Sequence, residues 1–177
     1  AIAAANAKLE TATVRYSPTS GSPDLKKAVV AYTLDNYGYA CEPGNVLISS
    51  GAKPAIYFAL TAVVEAGCEV VFPAPYWVSY PEMVRMMGAV PVVVEPVPGT
   101  FEPTLESVTA AVNERTRAVI INSPNNPSGH VYSEKLISGL VALCEERDIC
   151  LIMDDIYHRL VFDGLRVPSV FDYARRK

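Results

Sequence analysis

Short apolar runs punctuate the chain at regular intervals, each closed by turn-forming residues. Glu69 to Phe72, Val90 to Val94, Ala118 to Ile121 and Ile149 to Met153 read as strands, as does the earlier run Val46 to Ser49. Between and around them the apolar positions recur with helical spacing, which predicts helices over Pro23 to Tyr37, Ala52 to Ala66, Tyr80 to Met87, Thr104 to Val112 and Ser133 to Arg147. Strand and helix alternate, and the strands are almost continuously apolar rather than alternating in polarity. That combination is the mark of a mostly parallel sheet buried on both faces, an α/β fold built as a three-layer α/β/α sandwich.

In such a sheet, loops and helix N-termini converge at the carboxyl ends of the strands, where ligands settle. The segments that follow the strand candidates therefore carry the candidate chemistry. They are Ser50 to Lys53, Pro75 to Trp77, Asn122 to Gly129 and Asp154 to Tyr157. Taken singly, each has a plain structural reading. Asn-Asn-Pro-Ser-Gly after Ile121 is good turn material, and Gly51 permits a tight strand-to-helix turn. Asp154 and Asp155 could cap a helix or bind a metal. A lone tryptophan after a strand is as readily a core residue as a contact for a ligand.

Composition narrows the field. With 177 residues, half of them hydrophobic, the chain can bury the core of one domain. The formal net charge of −4 comes from charges of both signs scattered along the sequence, so nothing in it favours nucleic acid or an anionic membrane. Cys41, Cys68, Cys144 and Cys150 show no C-x-x-C spacing, and with only His130 and His158 beside them they read as reduced thiols rather than zinc ligands. No apolar run reaches the roughly 18 residues of a membrane span, and the Ala-rich start lacks the basic and apolar regions of a signal peptide. The expected location is the cytoplasm. Neither G-x-G-x-x-G nor G-x-x-x-x-G-K-[ST] is present, which removes the main support for a dinucleotide or P-loop site.

Asn122 to Gly129 and Met153 to Tyr157, taken in order on two buried strands, are far more specific together than apart. Joined to Tyr16 to Leu25 (Y-x-P-x-x-G-x-P-x-L), Ser50 to Ala55 and Pro75 to Pro81, they make the chain resemble the fold type I aminotransferases that use pyridoxal 5'-phosphate, closest to the bacterial and plant aspartate aminotransferase branch. The resemblance runs from about Tyr16 to the end of the chain.

The resemblance implies a role for each matched residue. Gly51, Ala52 and Lys53 would form the turn that holds the cofactor phosphate, on free amides at the positive end of a helix. Trp77 would lie against the pyridine ring, and Asp154 would keep the ring nitrogen protonated. Asn126 and Tyr157 would donate to the cofactor's 3-oxygen. Tyr16 would reach across a homodimer interface to the partner's phosphate, although an aromatic anchoring a Pro-rich turn explains it equally well.

The implied activity is transfer of an amino group between an amino acid, aspartate-like or aromatic, and a 2-oxo acid. A carbon–sulfur lyase of the same fold would look alike in this stretch, and a non-catalytic dimerisation or regulatory fragment is a third reading. The lysine that holds the cofactor as a Schiff base lies, in relatives, downstream of the aspartate strand. Lys8, Lys26, Lys27, Lys53, Lys135 and Lys177 do not match its context. Residues 1–177 are thus expected to be part of a large cofactor-binding domain, without the N-terminal arm, the rest of that domain or the small domain. The start at Ala1 agrees with a processed or truncated chain, inactive by itself, whose first strand would be separated from the others by a gap in the sheet.

Overall fold

The computed structural model describes residues 2–11 and 16–175, which form two compact units, Ala1–Ser49 and Ser50–Lys177.

In the first unit, α1 (Ile2–Thr11) is an Ala-rich segment whose composition favours helix intrinsically. α2 (Pro23–Tyr37) begins with proline in its first turn, where the missing N–H costs nothing, and has Asp24 beside the helix's positive end. It ends at Gly38, whose left-handed conformation lets its N–H close back onto the Leu34 carbonyl at 2.9 Å. Ahead of α2 the chain turns at Gly21. Its φ of +104° and the closeness of Ile48, whose Cβ would lie 2.4 Å from any Cβ at residue 21, both demand glycine.

Val46 to Ser49, expected as a strand, joins no ladder. Its Ile48 N–H bonds instead to the Ser20 carbonyl at 3.1 Å. An apolar run becomes a strand only where a neighbouring backbone supplies the matching bonds, and local pattern cannot report that.

The second unit holds the sheet. β1 (Glu69–Pro73), β2 (Val90–Val94), β3 (Thr116–Asn122) and β4 (Cys150–Asp154) are all parallel, in the order β2-β1-β3-β4. β1 is buried throughout and β3 nearly so, while β2 and β4 form the half-exposed edges. Alternation along the inner strands divides the core. Val70, Phe72, Ala118 and Ile120 face α3 (Ala52–Val63) and α4 (Ser79–Met86). Val71, Val119 and Ile121 face α5 (Leu105–Ala111) and α6 (Glu134–Arg147). This is the three-layer arrangement expected from the strand composition. Each fully buried Val, Ile or Phe in it contributes roughly 1.5–3 kcal/mol over exposure.

Local signals set the helix limits. Ser133 and Thr104 cap α6 and α5 by accepting from the amides of Leu136 and Ser107 at 3.2 and 3.0 Å. α6 buries Leu136, Ile137, Leu140, Val141, Leu143 and Cys144, the single stripe its sequence spacing predicts. α3 stops at Val63, three residues before the expected end. There Val64 turns extended and Gly67 bonds to the Gly88 carbonyl at 2.9 Å, which starts the run into β1.

Candidate active site

The inner strands β1 and β3 and the edge strand β4 all run in one direction, so the loops that leave their carboxyl ends share one edge of the sheet. Asn122 and Asp154 end β3 and β4 and are in register with each other. The Asn122 side-chain amide donates to the Asp154 carbonyl at 2.8 Å, and its Oδ1 accepts from the Asn126 amide at 2.6 Å. One buried side chain thereby fixes the last residue of β4 and the loop that follows β3. That loop is a turn, as its residue types predict, and it is built around a second buried asparagine. Asn125 Oδ1 accepts from the Ser128 amide and hydroxyl at 3.2 and 2.7 Å, and its Nδ2 donates to the Pro75 carbonyl at 3.0 Å. Asn125 thus ties the loop after β3 to the aromatic segment after β1.

The aromatic segment continues into α4. Tyr80, almost wholly buried, packs edge-on against Phe72 and Trp77, with ring centroids 5.9 and 5.6 Å away. Its hydroxyl donates to Asp154 Oδ2 at 2.6 Å. Burial pushes the Tyr80 phenol well above its ordinary range, and the hydrogen bond to Asp154 and that group's negative charge push it further. At any physiological pH Tyr80 is therefore a donor, and Asp154, itself 9% exposed, is the acceptor. Among the described residues no cationic side chain pairs with Asp154. Asp155 lies instead beside His158, whose Nδ1 is 3.8 Å from Asp155 Oδ2.

On another side of the same edge, Gly51 leads into α3 with a φ of +104°, which a side chain would strain. Ala52 and Lys53 form the first turn of α3, whose amides have no partner within the helix. The Lys53 ammonium lies 5.0 Å from the centroid of the Trp77 ring, which joins this turn to the aromatic segment. Tyr157 is half-buried in the turn after β4, near Tyr80.

Gly51, Ala52, Lys53, Trp77, Asn126, Asp154 and Tyr157 thus all fall within the second unit, at the start of α3, at the end of β4 or on the loops that follow β1, β3 and β4. Tyr16 is in the first unit and fully exposed. Sequence reasoning quoted Tyr80 inside a motif without giving it work, and named Asn122 only as the start of a loop. The missed signal at residue 80 was a tyrosine on the apolar face of a helix, since a buried phenol requires a polar partner.

The family model for aminotransferases of class I and II matches residues 1–176. A probable aspartate/prephenate aminotransferase of Aquifex aeolicus is 38% identical over 162 residues, covering 90% of this chain and 41% of that protein. The aspartate aminotransferase of Geobacillus stearothermophilus is 37% identical, covering 90% of this chain and 41% of its own length. Among solved structures, the aspartate aminotransferase of Thermotoga maritima superposes with a TM-score of 0.93 at 33% identity, over 98% of this chain and 46% of that one. That of Thermus thermophilus with maleate gives 0.90 at 37% identity, over 94% and 44%. The chain spans about two fifths of the length of the curated relatives it matches.

Proposed function

Because the chain belongs to the aminotransferases of class I and II, we propose that its second unit is the pyridoxal phosphate-binding part of an enzyme that moves an amino group between an aspartate-like or aromatic amino acid and a 2-oxo acid. One observation carries the reading. Asp154 is a buried carboxylate at a strand's carboxyl end whose side-chain partner is a neutral phenol. A buried carboxylate without a countercharge is costly, and a protonated pyridine nitrogen would supply the missing positive charge.

The donor set fits the cofactor on its other sides as well. The unpaired amides of Ala52 and Lys53, at the positive end of α3 behind Gly51, suit a phosphate dianion. Trp77 offers a flat apolar face, and Asn126 and Tyr157 are the proposed donors to the phenolic oxygen. When bound, the cofactor supplies an electron sink for cleavage at the substrate's α-carbon. Asp154 sustains the positive charge that makes the sink effective, while Trp77 restricts the plane. The names of the Aquifex and Geobacillus relatives support aspartate as the amino donor.

The working enzyme, in this reading, is a cytoplasmic homodimer in which Tyr16 contacts the partner's phosphate. The covalent lysine is none of those in residues 1–177, and this segment alone forms part of the cofactor domain and does not turn over. The test is transfer of labelled nitrogen from aspartate to a 2-oxo acid by the full gene product, with and without Asp154→Ala. Transfer that depends on Asp154 is the expected result. Release of pyruvate, ammonia and a thiol from an S-substituted cysteine, with no nitrogen exchange from aspartate, would assign a carbon–sulfur lyase instead.

A further inference from the structure

Among the described residues, Tyr80 is the buried side chain that donates to the carboxylate of the proposed ring-nitrogen partner, and the reading so far gives it no task of its own. Its ring would pack as well without the oxygen. Phe72 and Trp77 touch the ring edge-on, and both contacts would survive in phenylalanine. The hydroxyl therefore serves something other than the core, and its bond is short, buried and joins α4 to the end of β4.

We propose that Tyr80 is a positioning residue for Asp154: its hydroxyl ties down Oδ2, while Asn122 holds the backbone of the same residue, so that the carboxylate presents its other oxygen in one orientation to the cofactor ring. This rests on the assignment of Asp154 above.

The physical need follows from burial. A carboxylate that must meet a cation in one direction loses stabilisation if it rotates, and a desolvated oxygen is costly to leave without a donor. Tyr80 answers both without bringing a competing positive charge. Among the described residues, the titratable groups whose charge bears on this phenol are Asp154, Tyr132 and Tyr157, none of them a cation, and the Lys53 ammonium lies against Trp77 rather than against the hydroxyl. A lysine or arginine in its place would bind Asp154 as an ion pair and leave the carboxylate already neutralised.

The experiment compares, on the full gene product, the affinities for pyridoxal phosphate and for its analogue with carbon at the ring-nitrogen position. Only the first can use Asp154. The unsubstituted protein is expected to prefer the natural cofactor by about tenfold or more, the scale of one hydrogen bond to a charged group. Tyr80→Phe should remove most of that preference while leaving affinity for the carbon analogue unchanged. Adding Tyr80→Phe to Asp154→Asn should then change the preference no further. Equal weakening of both ligands, an unchanged preference in Tyr80→Phe, or a further loss in the double variant would each overturn the proposal. Absence of any preference in the unsubstituted protein would instead fell the Asp154 assignment, and this inference with it.

Discussion

Two buried carboxylates stand at opposite ends of the sheet, Glu69 where β1 begins and Asp154 where β4 ends, and the protein treats them differently. Glu69 is 5% exposed and receives the Arg115 guanidinium, with Nε at 2.8 Å, together with the Asn113 amide at 2.6 Å. Its charge is answered inside the fold. Arg115 first, then Asn113, hold its carboxyl below the ordinary value against the opposing effect of burial. Asp154 is about as buried yet is given only a phenol and no cation among the described residues. A carboxylate paired with a guanidinium is part of the scaffold, whereas one held by neutral donors at a strand's carboxyl end is free, in the function proposed above, to meet a positive charge from outside.

The sharpest way to break this contrast is at Asp154. Asp154→Ala should lower amino transfer by the full gene product by about a hundredfold or more, on the scale of a lost electrostatic contact to the reacting group. Its unfolding midpoint in denaturant should move little, since removal of a buried carboxylate is offset by the Tyr80 hydroxyl left without a partner. Glu69→Gln should do the reverse. It should destabilise the second unit by about 2 kcal/mol in urea titration, part of what a half-exposed pair loses with one partner, and leave the cofactor's ring-nitrogen preference intact.

The same pair gives a pH signature. Glu69 has a folded value depressed below its ordinary 4.5, so its stabilisation is complete above that pH and is lost as the pH falls through the folded value. Thermal melts from neutral pH down to acid should therefore show a loss of stability below about pH 4.5 that Glu69→Gln reduces. The smallest effect expected is that of Ser133→Ala, which removes the α6 cap and a bond to Glu102, neither of which involves Asp154. It should cost about 1 kcal/mol with no change in cofactor preference.

Local chemistry made much of this legible in advance. α2 spans Pro23–Tyr37 as its helical spacing predicts, and β2 spans Val90–Val94 as its apolar run predicts. The sheet's burial on both faces followed from strands without polar alternation. What stayed hidden depends on residues distant in sequence. Tyr80 meets Asp154 across 74 positions and Asn122 meets it across 32, separations that no periodicity encodes. Val46 to Ser49 failed for the same reason, because strand identity is a property of a pair. At the sheet edge, residue types and order indicated which side chains to inspect, but not that a neutral tyrosine would be Asp154's partner.

Trp77 is the only tryptophan in the 177 residues. With the Lys53 ammonium 5.0 Å from its ring and Tyr80 edge-on to it, nearly all the indole fluorescence of this chain originates in the candidate site. A ligand that lies on that ring or draws the ammonium away would alter the emission directly, so the molecule carries its own reporter at the one place where binding is in question.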